Sequence, residues 1–235
     1  SPVFIDVDID TMGMSPDSLQ KFLEKCCEKR KGMVFNKRTG RRVSACIPMH
    51  TFGFPCRIQD IDEICKTWGI PLIEDAAESL GSFVGEKHTG TFGDFGTLSF
   101  NVNKIITTGG GCMIISNNEE LARRAKHITT TAKIPHAYDF IHDEIGYNYR
   151  LPNLNAALGC AQMELLDDFL NVKANLANQW RSFFSDKGIN FVESIDDNKV
   201  NHWLNTIVLD SRKDRDQFLK FTNENNVMTR PIWTL

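Results

Sequence analysis

The stretch Ile73-Glu74-Asp75-Ala76-Ala77-Glu78-Ser79 reads as an apolar strand that runs out into acidic residues, and Ser99-Phe100-Asn101-Val102-Asn103-Lys104 reads as a later strand end that delivers a lysine. A strand-end carboxylate alone is ordinarily a helix cap, and a loop lysine alone a solvated charge. Together they are the two groups that pyridoxal phosphate chemistry requires. One keeps the ring nitrogen protonated, and the other carries the cofactor covalently. Asp75 lies at the carboxyl end of its strand, where ligands of open α/β sheets gather. We assign it to the ring nitrogen and Lys104 to the covalent link. As a free amine Lys104 would also move the proton between carbon atoms, so arginine could not replace it.

Outward from this pair, apolar β-rich runs at residues 3–7, 43–47, 70–73, 97–100 and 112–115 alternate with helical patterns. That alternation implies an α/β fold with a mostly parallel sheet flanked by helices. Ser15-Pro16 starts one helix, with Leu19, Phe22, Leu23 and Cys26 at helical spacing; Ile58, Ile61, Cys65 and Trp68 mark a second that Gly69 ends. A third follows Asn117-Asn118, with acidic residues first and basic residues last. From Asn153 a helical pattern runs toward Phe184 with a break expected near Asp167, followed by a strand over residues 203–209 and a helix over 214–225. The change of pattern near residue 170 divides a large domain, residues 1–170, from a linking helix and part of a smaller C-terminal domain, residues 171–235.

Composition narrows the class. At 235 residues, 41% hydrophobic and 24% charged, the chain is an ordinary soluble globular one with capacity for a buried core. A formal charge of -3 gives no overall attraction to nucleic acid or anionic membrane, and no apolar run approaches the roughly 18 residues of a membrane span. The seven cysteines lack the paired spacing of a zinc site and are read as reduced thiols, which implies a cytoplasmic setting. The six histidines form no spaced cluster, and no metal is assigned. Seven cations fall within residues 29–42, read as a solvated hairpin turning at Thr39-Gly40. Gly109-Gly110-Gly111 is not a dinucleotide fingerprint, because its glycines are contiguous and a strand follows; three adjacent glycines let the backbone fold tightly beside the lysine loop.

Four ordered segments carry a family resemblance: Glu74 to Ala77; Gly90-Thr91-Phe92-Gly93-Asp94-Phe95-Gly96; Ser99-Phe100 with Asn103-Lys104; and Gly146-Tyr147-Asn148-Tyr149-Arg150 running on to Gly159. In this order they resemble the DegT/StrS sugar aminotransferases, and the likeness extends over nearly the whole chain. The resemblance implies the aspartate-aminotransferase-like fold type I of pyridoxal phosphate enzymes. It further implies transfer of an amino group, from glutamate, to the keto carbon of a nucleotide-linked 6-deoxy-ketosugar. The segment around Lys104 is most similar to members acting on UDP-linked 4-keto N-acetylated sugars of the legionaminic acid and bacillosamine type.

By the same resemblance Ser99 bonds the cofactor phosphate and position 78 lies beside the ring hydroxyl. The commoner family residue there is Gln, so Glu78 is a departure, as is Asn101 where His is frequent. Asn148 and Arg150 are implied to reach the phosphate of the partner's cofactor across a homodimer with shared sites. Family dehydratases carry His where Lys104 stands, and a non-catalytic protein that kept the fold is the reading from another class. Family members are longer and begin with a phosphate-holding turn at a helix start, so these residues are expected to be part of a longer enzyme.

Overall fold

The computed structural model describes residues 1–196 and 198–233; Thr234 and Leu235, at the end of the closing stretch, lie outside them. Local chemistry sets the first helix. Ser15 Oγ accepts the Ser18 N–H at 3.4 Å, and Pro16 opens α1 (Pro16–Cys26) where no N–H is needed. The chain then reverses through β1 (Cys27–Arg30) and β2 (Met33–Asn36). Lys31 and Gly32, at φ 50° and 76°, make this turn, since paired positive φ matches the twist of a two-residue hairpin. Thr39-Gly40, the turn read from the sequence, forms a second reversal. There the Gly40 N–H bonds Asn36 O at 2.8 Å and Arg42 comes beside Phe35.

Helix α2 (Ile58–Trp68) ends at Gly69, which adopts the left-handed conformation at φ 73°. It buries Ile58, Ile61 and Cys65 in one core with Leu19, Leu23, Val34, Cys46, Ile70 and Leu72. The central sheet has the order β3 (Ile73–Asp75), β6 (Phe95–Ser99), β7 (Cys112–Ile115), with β3 parallel to β6 and β7 antiparallel to it. A small hairpin of β4 (Phe83–Val84) and β5 (Lys87–His88) lies between β3 and β6 in the chain.

Strand β3 begins later than its apolar pattern, for a reason visible in the backbone. Pro71 has no N–H, and the Leu72 N–H is taken by Asp94 Oδ2 at 3.0 Å, so Ile73 is the first residue whose N–H can enter the ladder. The segment expected as a strand at residues 43–47 makes a single parallel bridge, Cys46 with Leu72 just before β3, and Met49 beyond it makes another with Asp75 of β3. Residues 3–7 make one antiparallel bridge, Val7 with Met14.

The next elements are α3 (Glu119–Thr129), capped by Asn118, then β8 (Lys133–Ile134) paired with β9 (Ile141–His142). After them come α4 (Asn153–Met163) and α5 (Leu166–Ser185), separated at Glu164-Leu165, then β10 (Asn190–Phe191), β11 (Ile207–Val208) and α6 (Arg212–Glu224). The chain forms two compact units, Ser1–Ala174 with Ser194–Leu204, and Asn175–Glu193 with Asn205–Leu235. The first holds the central sheet. In the second, Phe184 stacks on Trp180 and Phe191 at centroid distances of 5.7 and 6.3 Å, and β10 pairs antiparallel with β11. All seven cysteines are free thiols, four of them buried. Among the described residues no helix is long and apolar enough to cross a membrane.

Candidate active site

The carboxyl ends of β3 and β6 point the same way because the strands are parallel, with Asp75 opposite Thr97 and Ser99 two residues farther on. Neighbouring residues of a strand face opposite sides. Thus Glu74 and Asp75 meet different surroundings. Glu74 is fully buried. Its Oε2 accepts the Gly90 N–H at 2.7 Å, and its Oε1 accepts those of Phe92 and Gly93 at 2.6 and 2.8 Å. His50 Nε2 lies 3.1 Å from Oε2, while His50 Nδ1 receives the Cys56 N–H at 3.3 Å, which places the ring proton on Nε2. One carboxylate therefore gathers the turn over residues 88–96 and the end of the 43–50 segment around β3. Burial pushes its carboxyl up, but His50 and the N–H groups of Gly93 and Gly90 outweigh this and hold it below the ordinary value. The turn also needs Gly96, where a Cβ would lie 2.0 Å from Gly90 O.

Past this anchor the chain presents three ionisable groups together. Asp75 is half-buried, and its Oδ1 accepts the Ala77 N–H at 3.1 Å. Glu78 is buried; its Oε2 accepts the Phe52 N–H at 2.8 Å and its Oε1 stands 3.7 Å from Lys104 Nζ. Burial and the charge of Asp75 push the Glu78 carboxyl up, against the pull of the Phe52 N–H and Lys104. The Lys104 amine is therefore placed beside a carboxyl that the fold makes less acidic.

The lysine loop is closed by its own backbone. The Phe100 N–H bonds Gly111 O and the Thr108 N–H bonds Phe100 O, each at 3.0 Å, while the Lys104 N–H bonds Asn101 O at 3.1 Å. Gln162 of α4 accepts the Thr107 N–H at 2.7 Å. Gly111 lies at φ 103° with Leu151 against it, where a Cβ would come within 2.5 Å of Leu151 Cδ1. Ser99, half-buried at the end of β6, accepts the Asn101 N–H at 3.4 Å.

The structure thus brings Asp75, Glu78 and Lys104 together, with Ser99 on the same sheet end. An acid, an amine and a hydroxyl there suit a ring nitrogen, a carbonyl carbon and a phosphate, so the donor set fits pyridoxal phosphate. Asn148 and Arg150 are exposed. Their segment pairs with the end of α3 through Thr130–Asn148 and the Tyr149 N–H to Thr129 O, with Tyr147 stacked on Tyr149 at 5.3 Å. No hydrogen bond or ion pair among the described residues joins them to the first group. His127, Asp143 and Glu144 have metal-ligand chemistry, but they are not buried, and both Nη atoms of Arg124 bond Glu144. This is an ion-pair network.

The sequence reading did not single out His50, which grips Glu74, or Trp203, whose ring lies over Lys104. The position of His50, just past a parallel segment at its carboxyl end, was the available signal. Nothing local marked Trp203.

A model of the DegT/DnrJ/EryC1/StrS aminotransferase family matches residues 1–235. Among curated relatives, EpsN of Bacillus subtilis (strain 168), whose name places it with the pyridoxal phosphate-dependent aminotransferases, is 37% identical over 233 residues. That match takes in 99% of this chain and 57% of EpsN. A GDP-perosamine synthase of Escherichia coli O157:H7 is 33% identical over 99% of the chain and 59% of its own length. The crystal structure of the aminotransferase TlmJ from Streptoalloteichus hindustanus superposes with a TM-score of 0.86 at 25% identity, over 99% of this chain and 59% of that one. The chain spans less than two thirds of the length of these relatives.

The Glu74 cradle makes a stability prediction. Glu74→Gln turns an amide N–H₂ toward donors that need an acceptor, and should cost about 2–4 kcal/mol in urea unfolding at neutral pH. Because the folded carboxyl is held low, its contribution is complete above the ordinary value of 4.5 and is lost as pH falls through that value and below it. Unfolding midpoints measured from pH 7 down to pH 3 should therefore fall more steeply for the wild type than for Glu74→Gln. Parallel curves would contradict the role given to this carboxylate.

Proposed function

The chain belongs to the DegT/DnrJ/EryC1/StrS aminotransferase family, and from that premise we propose that the protein it forms transfers an amino group from glutamate to the keto carbon of a nucleotide-linked 6-deoxy-ketosugar. The observation that carries this reading is the meeting of Asp75, Glu78 and Lys104 at the carboxyl end of β3 and β6. Pyridoxal phosphate supplies, when bound, a ring that takes up the electron pair left when a proton is removed from the carbon bearing the transferred nitrogen.

This chain's residues do the rest. The Asp75 carboxylate would hold the proton on the ring nitrogen, since a nearby negative charge favours the cationic form. Lys104 Nζ would carry the cofactor in the resting protein and, once exchanged for the incoming amine, would move the proton from one carbon to the other. Its pinned loop keeps that amine within reach during the exchange. Ser99 Oγ would hold the phosphate as a hydrogen-bond donor. Glu78, held by the Phe52 N–H and made less acidic by burial, would be the hydrogen-bond partner of the ring hydroxyl. The name of the GDP-perosamine synthase relative supports a nucleotide sugar as acceptor. The likeness around Lys104 favours a UDP-linked 4-keto N-acetylated sugar of the legionaminic acid or bacillosamine type. We further propose a homodimer in which the exposed Asn148 and Arg150 complete the partner's phosphate site.

Asp75→Asn in the intact protein should retain cofactor binding but lose about a thousandfold or more in turnover, because the ring nitrogen loses the charge that holds its proton. A variant within tenfold of the wild type would refute the assignment. Sharing between subunits is read separately, by mixing inactive Lys104→Ala with inactive Asn148→Ala protein. If each site draws on both subunits, some mixed dimers contain one intact site, and activity returns to about a quarter of wild type on random exchange. No recovery, with exchange verified, would place Asn148 outside the partner's site.

A further inference from the structure

We propose that Trp203 is a positioning residue for Lys104. Its indole ring seats the lysine Nζ on one face while its N–H fixes the lysine's loop. The proposal rests on the reading of Lys104 as the cofactor lysine for its purpose, but its geometry stands apart from that reading. Lys104 Nζ lies 4.0 Å from the centroid of the Trp203 ring and 3.7 Å from Glu78 Oε1. At the other end of the same ring, Trp203 Nε1 donates to Asn103 O, the residue before the lysine, at 2.7 Å. One side chain thus holds both the backbone from which Lys104 departs and the amine at its tip. Trp203 is 5% exposed, so the ring faces the ammonium where water competes little.

The ring is itself held from several sides. Asn201, fully buried, donates through Nδ2 to Glu78 O at 2.8 Å and Leu80 O at 2.9 Å, and its Oδ1 accepts the Trp203 N–H at 2.9 Å. The Asn201 N–H bonds Ser82 Oγ at 3.0 Å, and Ser82 Oγ in turn donates to Gly53 O at 2.7 Å. Lys173 Nζ donates to the carbonyls of His202 and Trp203 at 3.3 and 3.2 Å. Residues 201–203 therefore form a strap that joins the turn carrying Glu78, the turn carrying Phe52 and the loop carrying Lys104. A strap of this kind sets the distance between the Glu78 carboxyl and the lysine amine.

Its chemical use follows from the proton that Lys104 moves. When the freed amine takes a proton from the substrate carbon, a C–H bond breaks, an N–H bond forms and the electron pair stays with the cofactor's ring. Lys104 is then an ammonium. An aromatic face and a neighbouring carboxyl both attract that positive charge. Trp203 and Glu78 would hold the charged side chain in place until it gives the proton to the next carbon.

Lysine ε-methylene signals of the cofactor-free protein, isotope-labelled at lysine, test the seating, with Lys104→Gln identifying the Lys104 signal by its loss. Ring current should place that signal upfield of the exposed Lys21 signal in the wild type, move it to the Lys21 position in Trp203→Leu, and leave it partly shifted in Trp203→Phe. Trace acylation, read by peptide mass spectrometry as the ratio of Lys104 to Lys21, should rise about twofold to thirtyfold in Trp203→Leu and by less in Trp203→Phe. A wild-type Lys104 signal at the Lys21 position would overturn the proposal, whether or not the variants fold. So would an unchanged acylation ratio in a folded Trp203→Leu. Failure of Lys104 to carry the cofactor, with these signals as expected, would remove the catalytic reading and leave the seating intact.

Discussion

The buried carboxylate of Glu74 is the constraint on which the site depends. A charge with no exposure must find partners inside the fold, and Glu74 finds three backbone N–H groups from one turn and a histidine from the neighbouring segment. Those partners come from both sides of β3 in the chain, so satisfying one side chain draws the 43–50 segment and the 88–96 turn onto the strand. The turn leads directly into β6, whose register places Asp75 opposite Thr97. Only glycine fits at position 96 in this arrangement, because the backbone of Gly90 occupies the space a side chain would need. The Gly-x-Phe-Gly-Asp-x-Gly segment is thus the other half of the Glu74 interaction.

With that anchor buried, the next residues along the chain are free for chemistry. Asp75 follows Glu74 on the opposite side of the strand, and Glu78 is one turn of chain beyond. The two carboxylates differ because their surroundings do. Glu74 is surrounded by donors and held acidic, whereas Glu78 has one backbone donor, a lysine at the edge of ion-pair distance and the like charge of Asp75 nearby. Adjacent acids with opposed environments are a common route by which a site assigns different tasks to the same side-chain type.

The sequence was most legible where the structure is made locally. Ser15-Pro16, Gly69 and Asn118 mark helix ends through bonds within a few residues, and the helices lie where those signals put them. Strands were less legible. The apolar run at residues 70–73 extends before β3 because Pro71 and the Asp94 side chain remove the hydrogen bonds that would begin it earlier. Thr39-Gly40 and Lys31-Gly32 both have turn chemistry and both reverse the chain, but the sequence marked the first alone, and the second shows itself through the pairing of β1 with β2. In the site, Asp75 and Lys104 stood out through their places at strand ends, and Ser99 through the family resemblance. His50 reaches Glu74 across 24 residues, Trp203 reaches Asn103 across 100 and Asn201 reaches Glu78 across 123. Such contacts arise from packing, and no spacing rule in a single sequence announces them.

The central claim is that this fold exists to present Lys104 as the amine that carries pyridoxal phosphate. Its most direct test is to load the intact protein with the cofactor, reduce with borohydride, digest, and map the modified peptide by mass spectrometry. The account predicts one adduct, on Lys104. An adduct on a different lysine, or none in protein that is folded and saturated with cofactor, would contradict it.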